Sequence, residues 1–162
     1  SSYWALILDS STTVLGSCVA TCLFDPVARV GGMNHFLLAE PQSSTAHSGT
    51  DEDYGVYLME ILINEMLAFG AIKSRMRAHV YGGANMHVNM ARIGTANANF
   101  AKCFLAHEHI PIGREDLGGA MARRVEFMPA IGRARCRTIE HIPTATPKPM
   151  VRPRSVGDVE LF

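Results

Sequence analysis

Hydrophobic positions change their spacing several times along the chain, and each change marks an element. From residue 13 to 24 the stretch "TVLGSCVATCLF" is apolar and rich in strand formers. In the "DPVARVGG" that follows, Asp25-Pro26 and Gly31-Gly32 carry the chemistry of a turn. "VGGMNHFLL" then returns as a second strand, so 17–38 reads as a β-hairpin. Strand period two sets Cys18, Ala20 and Cys22 on one face and likewise groups Met33, His35 and Leu37. Cys18 and His35 can therefore lie across from one another, which the spacing permits without requiring.

Residues 39–51 are rich in Pro, Ser, Thr and Gly, the composition of an exposed loop. From Asp53 to Phe69 the apolar residues Val56, Met59, Ile63, Met66 and Leu67 recur at helical spacing. Asp51 or Asp53 can cap that helix and Gly70 ends it. "AHVYGGANM" (78–86) reads as a strand entering a glycine turn, and 93–110 as a second helix, stopped by Pro111. "PIGRED" is a short strand before "LGG"; "RRVEFM" and "RARCRTI" flank "PAIG" as a hairpin that turns at Gly132. The sum is an α+β domain, two main helices packed on a mixed sheet. Beyond residue 141 the composition shifts to Pro and Arg, so 1–141 reads as the domain and 142–162 as an extended tail.

With 162 residues, 48% of them hydrophobic, the chain suits one domain with a real core. Its formal charge is zero, which argues against a general nucleic-acid footprint. The charge is unevenly spread: residues 1–81 hold eight acids and four Lys/Arg, residues 82–162 seven and eleven. The excess lies in "ARR", "GRARCR" and "VRPR", either a solvated basic face or a docking surface for an acidic protein. No apolar run reaches the ~18 residues of a membrane span, and "YWALIL" lacks the flanks of a signal peptide. The start at Ser-Ser without Met suggests processing or truncation. Four cysteines are too few for a disulfide scaffold, so the expected setting is the cytosol, where a free thiol stays usable.

Cys18 follows Gly16-Ser17, where a turn can expose its sulfur and aim backbone N–H groups at it as an oxyanion hole. The plain alternative is a small buried hydrophobe. His35, in an apolar strand, is equally readable as a structural histidine. Together they make a nucleophile and base: a thiol of pKa ~8.5 needs an imidazole to take its proton. A third polar group would orient that imidazole, and Thr12, Thr13 and Asn34 are near in sequence. Zinc is the competing chemistry, but Cys18, Cys22 and His35 match metal spacing poorly, and "HEH" at 107–109 splits its histidines between helix faces. "GGAN" (82–85) and "DLGG" (116–119) lack the phosphate-loop spacing. Cys22, Cys103 and Cys136 read as structural.

The words "LGSCV", "DP", "GGMNHFLL", "GGANM", "IG..N", "EDLGG" and "RRV", in this order over about residues 12–137, resemble the chemoreceptor glutamine deamidases, the CheD family. The resemblance implies an α/β sandwich-like domain related to bacterial toxins that deamidate host glutamines. It makes Cys18 the nucleophile, His35 the base and a threonine upstream of "LGSC", best placed at Thr12 and next at Thr13, the third member. It also implies a cytoplasmic enzyme that turns glutamines of methyl-accepting chemotaxis receptors into glutamates, and a CheC-type chemotaxis phosphatase as a further partner. A thioester route needs no metal or organic cofactor. A non-catalytic regulatory partner and a receptor glutamyl methylesterase are the alternatives. The preceding strand segment is short, and the Pro/Arg tail departs from the family pattern.

Overall fold

The computed structural model describes residues 3–7, 10–38, 48–86 and 92–140. Among these residues eight strands and two α-helices follow in the order β1 (Tyr3–Ile7), β2 (Ser11–Leu15), β3 (Val19–Asp25), β4 (Val30–Phe36), α1 (Ser48–Ala68), β5 (Arg77–Gly82), α2 (Ile93–His107), β6 (Ile112–Leu117), β7 (Ala122–Met128) and β8 (Arg133–Ile139). This is the expected α+β class with two helices, but the strands form two sheets. One is five-stranded, ordered β1-β4-β3-β5-β6, and the other three-stranded, ordered β2-β7-β8. The larger sheet is mixed, since β5 and β6 run parallel.

The hairpin stands as expected, with Val19 opposite Phe36 and Ala20 opposite His35. Its first strand is buried at every position, because β3 is central and covered on both faces. That double burial explains why 13–24 reads as an apolar run rather than an alternating one. The run is nevertheless two strands. β2 belongs to the small sheet, residues 16–18 carry the chain across, and β3 enters the large one.

Two cores follow from this layering. On the helix side Val19, Leu23, Phe36 and Val80 pack against Leu58, Met59, Leu62 and Met66 of α1 and Ala98, Ala101 and Leu105 of α2. Between the sheets lie Leu15, Ala20, Cys22, Phe24, Met33, Tyr81, Val125 and Phe127. At ~25 cal/mol per Å² of apolar surface removed from water, the two interfaces hold the three layers together.

α1 starts at Ser48, inside the expected loop, and ends as foreseen. Gly70 is left-handed, and Ala71 N–H reaches back to Met66 O at 3.0 Å. α2 stops at His107, three residues short of the expected end, because His109 takes a left-handed φ of 57°. Asp25 closes the hairpin turn. Its carboxylate accepts from Val27 and Ala28 N–H at 2.9 and 3.0 Å, from Ile72 N–H at 2.8 Å and from Arg75 Nε at 3.0 Å. Most of the 39–51 loop and the 142–162 tail lie outside the described residues.

Candidate active site

The crossing at 16–18 sits on three hydrogen bonds, each accepted by a main-chain carbonyl. Ala84 N–H donates to Gly16 O at 3.0 Å and Gly83 N–H to Cys18 O at 2.8 Å. Asn97 Nδ2, from the first turns of α2, donates to Ser17 O at 2.9 Å. In a trans peptide the N–H points opposite to the carbonyl before it. The Ser17 and Cys18 N–H groups thereby point away from Ala84 N–H and Asn97 Nδ2, and the Cys18 N–H lies against its own sulfur.

Close approach by glycine makes those bonds possible. Gly82 has φ +108°, and a Cβ there would sit 2.2 Å from Cys18 O. A Cβ on Gly94 would meet Ala84 O and Gly83 O, each at 2.4 Å. The glycines of "GGAN" and "IG" therefore seat the cysteine loop. A second layer holds them: Gly118 N–H donates to Gly82 O at 3.0 Å. Arg123, almost fully buried, donates to Gly118 O at 2.7 Å and Gly82 O at 3.3 Å while paired with Asp116 at 3.0 Å.

His35 is half-buried on β4, opposite Ala20. Carried one residue further, the same register sets Cys18 opposite Leu37, so His35 is its diagonal neighbour on one sheet face. Diagonal pairs bring Cβ atoms to about 7–8 Å or somewhat less, within reach of longer side chains. The face is the inter-sheet one, since Cys18 packs against the core between the sheets. His35 is met there from the small sheet, where Thr13 Oγ1 lies 3.4 Å from its Nδ1.

Thr12 and Asn34 point elsewhere. Thr12 is exposed on the outer face of the small sheet, one residue from Thr13 and so on the opposite side of β2. Asn34 faces the helices: its Nδ2 donates to Met59 Sδ at 2.7 Å, and its Oδ1 accepts from Thr21 N–H at 3.2 Å. The hydroxyl the structure brings to His35 is thus Thr13's. Sequence reasoning also missed Asn97. It is fully buried, accepts from Leu38 N–H at 2.9 Å and so ties the segment after His35 to the carbonyl before Cys18. Its one visible trace is the asparagine of "IG..N".

Burial pushes the Cys18 thiol up and the His35 imidazole down from their ordinary values. Near neutral pH both are uncharged at rest. The sequence-based expectation of a thiol lowered by its imidazole is not what the resting geometry favours, because desolvation dominates at each group. Cys22 is fully buried between the sheets, and burial drives its thiol far up. Burial and the Asp116 carboxylate raise Cys136 to about 11. Cys103 is exposed on α2. His79 is structural: its Nε2 donates to Gly132 O at 2.8 Å and its Nδ1 accepts from Arg114 N–H at 3.0 Å.

A thiol and an imidazole on one sheet face, beside main-chain N–H groups that the fold leaves out of its sheets, form the kind of site from which thiol-dependent hydrolases are built. The family model "CheD chemotactic sensory transduction" matches residues 37–138. A probable chemoreceptor glutamine deamidase CheD of Zymomonas mobilis subsp. mobilis is 53% identical over 155 residues, covering 93% of this chain and 82% of that protein. Its namesakes in Caulobacter vibrioides and Xanthomonas campestris pv. campestris are 46% and 45% identical, covering 93% and 97% of this chain and 83% and 84% of their own lengths. The chain belongs to the CheD family. The family model starts just after His35, but the alignments to relatives leave too few residues outside them to miss Cys18 or His35.

Proposed function

We propose that this protein is a chemoreceptor glutamine deamidase, with Cys18 as nucleophile, His35 as base and Thr13 as the residue that positions the imidazole. The observation that carries the reading is the common face of Cys18 and His35, with the Thr13 hydroxyl behind the ring. Thr13 accepting from Nδ1–H leaves the lone pair on Nε2, the tautomer a base requires.

Because thiol and imidazole are both neutral at rest, the proton moves during attack and not before it. As Sγ bonds to the glutamine carboxamide carbon, the S–H proton passes to His35 and the carbonyl oxygen takes the π pair. The N–H groups of Ser17 and Cys18 are the available donors to that oxyanion, each worth ~3–4 kcal/mol in a comparable hole. The C–N bond then breaks as the imidazolium returns its proton to nitrogen, so ammonia leaves and a thioester remains. Water adds to the thioester and gives a proton to His35. The C–S bond breaks, the proton returns to sulfur, and the product is glutamate.

Ammonia release from a chemoreceptor cytoplasmic fragment tests this. Cys18→Ala is expected to abolish release, and retained release would exclude the thioester route. Methanol from a methylated receptor in place of ammonia would make the protein a methylesterase. A CheC-type phosphatase is the second partner the family suggests, and a pull-down with it, run alongside the ammonia assay, separates regulation from catalysis.

A further inference from the structure

The register of the small sheet sorts its charges. Val125 and Phe127 point into the inter-sheet core, so Arg124, Glu126 and Met128 face outward, together with Arg133, Arg135, Arg137 and Thr12 from the flanking strands. That face holds four guanidinium groups and one carboxylate, in a protein of zero formal charge. Arg133, Arg135 and Arg137 are exposed. Among the described residues none of the four arginines is in an ion pair, Glu126 included as a partner. Arg124 Nε is shielded from water and has no hydrogen-bond partner.

The arrangement is costly for a face that only meets solvent. Arg124 lies directly opposite Arg137 in the ladder, and like charges opposed across two strands destabilise a sheet. An exposed sheet face is ordinarily relieved by alternating signs; here Glu126, opposite Arg135, is the one carboxylate set against four arginines. Thr12, Arg124, Glu126, Arg135 and Arg137 line a shallow pocket of about 310 Å³ on this face. The pocket adjoins the catalytic side through a single strand: Thr12 lines it, and the next residue, Thr13, reaches His35.

We propose that the outer face of β2-β7-β8 is a docking surface for an acidic segment of the substrate protein, its carboxylates taken by Arg124, Arg135 and Arg137 while the neighbouring glutamine enters past the β2 edge to Cys18. Guanidinium groups suit this occupant because their planar forks hold carboxylates bidentately. The position selects the substrate over an unrelated acidic partner, since whatever is held there lies one strand from the reacting groups. The inference rests on the deamidase reading for the identity of the occupant, but not for the charge of the surface.

The test uses two synthetic helical peptides, each with one glutamine, flanked by glutamates in one and by lysines in the other. Cys18→Ala protein is expected to bind the glutamate-flanked peptide roughly tenfold more tightly, the equivalent of two exposed ion pairs, with a preference that shrinks as salt rises. Arg135→Glu with Arg137→Glu should remove the preference, and the matching Lys pair should keep most of it, which separates charge from loss of fold. Equal binding of both peptides, or a preference that survives charge reversal, overturns the proposal. So does binding of heparin without binding of the acidic peptide. The two readings fail separately. Arginine-dependent binding with no ammonia release by the unsubstituted protein would sink the deamidase reading alone. Ammonia release with a KM indifferent to the arginines would sink the docking surface alone.

Discussion

Exchanging the two adjacent threonines separates the face of β2 that meets His35 from the face that does not. Thr13→Val keeps volume, branching and strand preference and removes only the hydroxyl 3.4 Å from His35 Nδ1. A neutral hydrogen bond of this kind contributes about 1 kcal/mol net, and 1.36 kcal/mol is tenfold in rate. The expected loss in kcat is therefore roughly five- to tenfold. Thr12→Val, on the exposed outer face, should leave kcat within about twofold. Thr13→Ser restores a hydroxyl and should recover most of the rate. The pH profile distinguishes positioning from mere packing. A hydroxyl accepting from Nδ1–H favours the imidazolium, so its removal lowers the His35 pKa beyond what burial already does. The acid limb of kcat/KM should then move to lower pH. Equal losses for Thr12→Val and Thr13→Val, or a Thr13→Ser variant as slow as Thr13→Val, would refute the assignment.

The other predictions concern the frame around the site. Gly82→Ala sets a methyl 2.2 Å from Cys18 O at a φ of +108°, so the cysteine loop must shift. Overpacking of this kind costs about 1–3 kcal/mol, and ammonia release should fall by more than the melting temperature suggests; full activity would show that the loop tolerates displacement. At Asp25 burial opposes ionisation, but hydrogen bonds from Ile72, Ala28, Arg75 and Val27 outweigh it and hold the carboxyl at about 2, below its ordinary 3.8. Its stabilisation is complete above pH 3.8 and is lost as pH falls toward 2. Asp25→Ala should cost about 1–3 kcal/mol near neutral pH, and urea titrations of both proteins should converge through that acid window; a pH-independent gap would contradict the depressed value.

Much of the architecture is legible because local rules agree with the tertiary outcome. The hairpin, both helices and the turn at Gly132 follow from period and turn chemistry. The division into two sheets is not legible in that way. Residues 16–18 contain no proline and no long loop, so nothing local distinguishes one bent strand from two strands in different layers. The threonine assignment fails for a related reason. Which of Thr12 and Thr13 faces inward depends on β2 pairing with β7, Thr13 with Val125, and a one-residue slip reverses every side chain. That pairing spans most of the chain. Cys18 and His35, by contrast, belong to one hairpin, whose register the spacing permits and the structure supplies. Asn97 was invisible as a brace because its two partners, Ser17 and Leu38, are distant in sequence.

The long reach of that β2–β7 pairing sets when the machinery can be complete during synthesis. A nascent chain already carries its sulfur and imidazole once the first hairpin has formed, yet Thr13 has no strand to hold it until residues 122–128 have been made. A partly translated polypeptide can therefore carry Cys18 and His35 on one hairpin before the strand that seats Thr13 exists. The last seat in the small sheet is filled only when that strand arrives, after both helices have been made.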